Sequence, residues 1–254
     1  MLPALFVSRG LPTLPFTDSP AKRFLSGLSG ILPRRPRAIL AISTPWEADI
    51  APPPDDFAYS APSAPGLTAR ALSLLDSAGL SRHVVEAKHG ACGPLSVIYP
   101  NADIPVARLS LASGQGPLHH LAMGRALASL GRDDDVLILG SGSFSRGRPL
   151  SRPSGPEPAW VAEFARWMHA ALHRGSIDDL LAYRTKAPFA DRNHPTDEHL
   201  LPLFVALGAG GAQAEAKRLH ASVMNGVLRM DVYAFRSACP LPKPTPRATP
   251  EHSR

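Results

Sequence analysis

Cysteine is scarce in this chain: Cys92 and Cys239 are the only two in 254 residues. Two thiols cannot make a disulfide framework, so a small stapled secreted scaffold is excluded and a cytoplasmic setting is expected. Both are expected to behave as small buried hydrophobes. Long apolar runs are also missing. Nothing approaches the ~20 residues that cross a bilayer, so no membrane association is expected. The first residues lack a basic segment followed by a long apolar core, so no signal peptide is expected. No internal repeat is visible, which argues against a solenoid. Clustered positive charge is missing too. The formal charge is +6, yet no Lys/Arg run is longer than a pair such as Arg34-Arg35. Without a basic helix or aromatic-basic interleaving, nucleic acid is not expected as a partner.

What is present is ordinary for a globular protein, at 44% hydrophobic and 19% charged residues. The length suits one large α/β domain or two small ones. Leu2 to Ser8 reads as a first strand running into the tight loop Arg9-Gly10-Leu11-Pro12. Ala21 to Leu28 follows Ser19-Pro20, a cap and first-turn proline, and reads as a helix. Arg37 to Ser43 is a continuous apolar run, the mark of a strand buried on both faces. Leu67 to Leu75 is an amphipathic helix ending near Gly79, and His83 to Ala87 a short strand. Strands at Ile104 to Leu111 and Asp135 to Leu139 flank a helix from Leu118 to Leu130. Helices are expected over Pro158 to Arg174, Ile177 to Arg184 and His199 to Gly208, and a late strand over Val227 to Phe235. Residues 239–254 form a proline-rich tail expected to be disordered, leaving residues 1–238 as one domain.

Alternating strands and helices imply a three-layer α/β/α sandwich with a mostly parallel, mixed central sheet. Sites in such sheets form at the carboxyl ends of the strands, which puts residues 9, 45 and 146 along one rim.

Several stretches resemble the DODA-type class III extradiol ring-cleavage dioxygenases, the protocatechuate 4,5-dioxygenase catalytic-subunit-like family. Ser8-Arg9-Gly10-Leu11-Pro12 is similar to a Ser-His-Gly-Ser-Pro loop, and Ser43-Thr44-Pro45-Trp46-Glu47 to Ser-Ala-His-Trp-Glu. Lys88-His89-Gly90-Ala91 resembles Asp-His-Gly-Ala, and Gly140 to Arg146 resembles Gly-Ser-Gly-Ser-Leu-Thr-His. The run His194-Pro195-Thr196-Asp197-Glu198-His199-Leu200-Leu201-Pro202-Leu203 matches almost letter for letter, as does Met230 to Phe235. The likeness is collinear over residues 3–236.

The resemblance implies a metal, Fe(II) or in some cases zinc, binding a catechol and dioxygen side by side, with a further His as acid-base. It makes His199 and Glu198 retained metal-ligand candidates and His89 and His194 catalytic candidates. Lys88, Trp46, Glu47 and Ser143 would line the pocket. Three ligand positions carry Arg9, Pro45 and Arg146 instead of His. Arginine offers no lone pair and stays charged. Unit charges ~4 Å apart interact by about 4 kcal/mol at an effective dielectric of 20, and a divalent ion facing an arginine would feel twice that. Asp56-Phe57 also runs almost directly into Tyr59-Ser60-Ala61-Pro62, where the family has a longer stretch of substrate wall.

The expectation is therefore a member with lost or altered ring cleavage and no resident metal. The readings left open are an active dioxygenase opening a DOPA- or protocatechuate-like ring, and a small-anion binder using the arginines. A small aromatic or anionic ligand is the expected partner, and homo-oligomerisation is left open. Local readings stand beside these. His199 could be a hydrogen-bonded residue at a helix start, His194 a structural histidine, and His119-His120 a solvated pair. Gly140-Ser141-Gly142-Ser143 lacks the Lys of a phosphate-binding loop, and no Gly-x-Ser-x-Gly elbow precedes a helix. If an arginine is buried here, it needs an acid, and Glu198 or Glu47 is the expected partner.

Overall fold

The structure, a computed structural model, describes residues 1–44, 59–80, 91–112, 114–146 and 155–237. The expected strand at 83–87, the tail, and Pro45, Trp46, Glu47, Lys88, His89 and Cys239 lie outside the described residues.

A six-stranded sheet forms the middle layer. In chain order the strands are β1 (Ala4–Ser8), β2 (Ala38–Ser43), β3 (Val106–Ser110), β4 (Val136–Gly142), β5 (Ala214–His220), the short pair β6 (Val223–Met224) and β7 (Leu228–Arg229), and β8 (Val232–Ser237). The order across the sheet is β3-β2-β4-β1-β8-β5, with β6 and β7 forming a separate ribbon. Strands β3, β2, β4 and β1 run parallel, whereas β8 pairs antiparallel with both β1 and β5. The sheet is thus mixed with a parallel majority.

The two-residue period of the strands divides the core. Phe6, Leu40, Ile42, Ile138, Tyr233 and Phe235 face one helical layer. Leu5, Val7, Ile39, Ala41, Leu137, Leu139 and Ala234 face the other. The second face is covered by α1 (Pro20–Ile31), which Ser19 caps by accepting from the Lys22 N–H, and by α3 (Cys92–Ile98). The first face carries α2 (Pro65–Ser77), α4 (Pro117–Asp133) and α5 (Ala159–Arg174). It also carries the short helices α6 (Ile177–Leu181), α7 (Tyr183–Lys186) and α8 (Ala190–Asn193), and then α9 (Leu201–Ala209). Leu201 through Gly208 are all buried, so α9 has no polar face; it is a core helix rather than a surface one.

Close backbone approach sets where α9 lies. A Cβ on Gly208 would collide with the Leu121 carbonyl, and one on Gly124 with the Val205 carbonyl, so α4 and α9 touch through glycine. On the sheet side, a Cβ on Gly140 would meet the Pro202 carbonyl and one on Gly142 the His199 carbonyl. This packing delivers the segment before α9 to the carboxyl ends of the strands.

Some local expectations change. The expected helix over 177–184 is two short helices. The late strand is divided into β7 and β8. Strand β5 was not expected, because its sequence AEAKRLH has an exposed edge and no apolar face. Helix α3 was also unexpected, since Gly93 and Pro94 in its first turn read as a loop. His120 is not solvated: it is fully buried at the start of α4, where Nδ1 lies 2.9 Å from the Gly116 carbonyl. Cys92 is buried, and burial pushes its thiol pKa up.

Candidate functional site

The parallel strands end in register. Ser8 is opposite Gly142, and Ser43 opposite both Ser141 and Ser110. Arg9, Thr44 and Ser143 are therefore the first residues beyond the sheet on one rim. The Arg9 N–H donates to the Gly142 carbonyl at 2.7 Å, so the loop after β1 stays tied to β4 as it leaves the sheet. Gly10 then adopts φ +62°, a left-handed turn that also leaves room for the Met230 thioether.

The segment between α8 and α9 closes the rim from above. The Ser143 N–H donates to the His199 carbonyl at 2.7 Å, and the Arg146 N–H to the Asn193 carbonyl at 3.1 Å. These bonds bring Arg9, Ser143, Arg146, His194 and His199 to one end of the sheet, although they span most of the sequence. All five are buried; Arg9 and Arg146 are each 6% exposed.

At its centre, Nη2 of Arg9 lies 2.8 Å from Nδ1 of His199. A guanidinium only donates, so Nδ1 must accept. The neutral imidazole then carries its hydrogen on Nε2, and neither ring nitrogen has a lone pair left for a metal. Among the described residues no three His, Cys, Asp or Glu side chains converge to hold an ion. As placed, the described pair Arg9 and His199 offers no free nitrogen to the Fe(II) or zinc that the resemblance implies.

His194 has a different setting. It is fully buried, with Nε2 3.1 Å from the Phe144 carbonyl and its ring near those of Phe164 and Tyr183. Burial pushes its pKa down to about 4, partly offset by that hydrogen bond. The ring is neutral at pH 7, and Nε2 is the donor to the carbonyl.

Glu198 lies apart from the arginines. It is exposed, has no ion pair among the described residues, and lines a cleft with Thr44, Arg184 and Asp197. It is not the buried partner expected for Arg9 or Arg146, and Glu47, the other expected acid, is outside the described residues.

Beneath the rim runs a polar network that the sequence reading missed. Asp231 is fully buried, and its carbonyl accepts from the Ser8 N–H at 3.2 Å. Its carboxylate accepts from Nε of Arg229 at 3.0 Å and lies 3.6 Å from Arg218; Arg229 also meets Glu157 at 3.2 Å. Burial, opposed by Arg229 and Arg218, pushes the Asp231 pKa up to about 6. The Ser145 hydroxyl donates to the Val227 carbonyl and accepts from the Arg229 N–H, pinning the loop after β4 to the ribbon. The signal available in the sequence was an aspartate inside an apolar strand run, Met230-Asp231-Val232.

Comparison with known proteins agrees with this architecture. Residues 32–231 match a family model described as the catalytic LigB subunit of aromatic ring-opening dioxygenase. A 4,5-DOPA dioxygenase extradiol of Beta vulgaris is 38% identical, over 91% of this chain and 96% of its own. One of Escherichia coli K12 is 31% identical over 84% of this chain and 86% of its own. A solved structure of an uncharacterized Escherichia coli K12 protein superposes with a TM-score of 0.73 at 29% identity, covering 92% of this chain and 99% of that one.

Proposed function

Because the chain belongs to the family of LigB-type catalytic subunits of aromatic ring-opening dioxygenases, we propose that it is a member in which arginine has replaced the metal and ring cleavage has been lost. In this reading, binding of a small aromatic or anionic ligand replaces ring cleavage. The observation that carries this reading is the 2.8 Å contact between Arg9 and His199. It consumes the lone pair that a cation would need and places a permanent positive charge beside the ring. Arg146, equally buried on the same rim, adds a second fixed charge.

The test is elemental analysis after expression in medium supplemented with iron and zinc, together with oxygen uptake on DOPA and protocatechuate. Both metals are expected well below one per chain, with no oxygen consumed. A second reading, an active ring-opening dioxygenase, is favoured by the near full-length identity to the Beta vulgaris enzyme. One tightly bound metal per chain and oxygen uptake would establish that reading and overturn ours. The ligand is expected to be anionic, so protocatechuate should raise Tm more than catechol does; equal shifts would remove the anionic preference.

A further inference from the structure

The segment Asn193 to His199 has two sides. His194 and His199 are buried toward the sheet, whereas Pro195, Thr196, Asp197 and Glu198 face a separate cleft of about 370 Å³. That volume is in the range of small-molecule sites, ~300–1,000 Å³. The cleft opens at the carboxyl ends of β2 and β3, the edge where a sheet of this kind binds ligands. Leu111, Ala112 and Leu201 give it an apolar lining, and Gln115 also lines it.

Among the described residues that line it, the charges do not balance. Arg184 donates to Asp197 at 2.5 Å, to Asp191 at 2.7 Å and to the His194 carbonyl at 3.0 Å. Asp197 also accepts from the Tyr183 hydroxyl at 2.7 Å. Both groups are occupied by each other and by their neighbours. Glu198 is left as a carboxylate without an ion pair. At the inner end Thr44 is 2% exposed, and its hydroxyl oxygen has no hydrogen-bond partner. A buried polar atom left unmade is costly, and a ligand group able to donate or accept there would recover that energy.

We propose that this cleft is a binding site for a small amine with an apolar body, its ammonium facing Glu198 and its inner end reaching Thr44. The apolar lining takes the body of the ligand, and Glu198, the carboxylate left unpaired among the described residues, selects for positive charge. The proposal is independent of the arginine-for-metal reading, since no residue of the cleft is Arg9, Arg146 or His199.

The test uses the full chain and three probes of similar size: benzylamine, benzyl alcohol and benzoate. Titrations are followed by amide resonances and by calorimetry. Benzylamine is expected to shift the amides of Gln115, Thr196 and Glu198, and the other two probes are not. E198Q, at an exposed position that does not threaten folding, should weaken benzylamine at least fivefold. Unchanged benzylamine affinity in E198Q, equal binding of benzyl alcohol, or shifts confined to other surfaces would each overturn the proposal.

Discussion

Nη2 of Arg9 donates to Nδ1 of His199 at 2.8 Å, across 190 residues of sequence and between two buried side chains. The bond fixes the imidazole as its Nε2–H tautomer and ties the loop after β1 to the segment that leads into α9. Replacing Arg9 by Ala removes the donor and leaves a buried acceptor unmade. R9A should lose ~1–3 kcal/mol of stability, read as a lower denaturant midpoint at unchanged slope. An unchanged midpoint would mean that the contact contributes nothing.

Restoring the histidines tests whether the scaffold still frames a metal. The triple variant R9H/P45H/R146H removes two fixed charges and supplies imidazoles at the three positions where the resemblance implies histidine ligands. Zinc should then raise its Tm, while the unaltered chain shows no shift. A ligand at 100-fold its Kd stabilises by about 2.7 kcal/mol, which is readily seen in a thermal scan. A triple variant indifferent to zinc would show that more than these side chains has changed.

Two buried groups oppose each other on acidification. His194 has a folded-state pKa of about 4, below its unfolded value. The unfolded chain therefore binds the extra proton, and stability falls as pH drops from about 6.5 to 4. Asp231 has its pKa raised to about 6. The folded state binds that proton first, so its contribution is fully present below the unfolded carboxylate value and is lost as pH rises through 6. Each slope is at most about 1.4 kcal/mol per pH unit, with opposite signs between pH 4 and 6. D231N removes one of the two, so its stability should fall more steeply over that window than that of the unaltered chain. Parallel curves would contradict the pair.

The glycines at the contact between α4 and α9 are a further point of failure. In G208A the new methyl meets the Leu121 carbonyl and the Gly124 Cα, all backbone atoms that cannot rotate away. Overpacking of this kind costs ~1–3 kcal/mol or more. By contrast G30A, with nothing within 4 Å and a helical backbone, should be neutral or slightly stabilising. Equal midpoints for the two variants would refute the close approach.

The sequence by itself determined the layers and the rim. The apolar runs at 37–43 and 135–139 read as buried strands, and their alternation with helices indicated where the loops carrying residues 9 and 146 would lie. That positions 9 and 146, where the resemblance implies histidine ligands, carry arginine was equally legible, since an arginine cannot ligate whatever the fold around it. Tertiary structure decided which side of the rim each neighbour occupies. Adjacent in sequence, Glu198 and His199 part company because Gly142 draws the His199 carbonyl onto β4 while Glu198 stays outside in the cleft. No periodicity predicts that separation in an irregular segment. Nor could it show that β5 is an edge strand or that His120 is buried. Those outcomes depend on packing between elements far apart in sequence, β5 against β8 and α4 against α9, rather than on propensities within either.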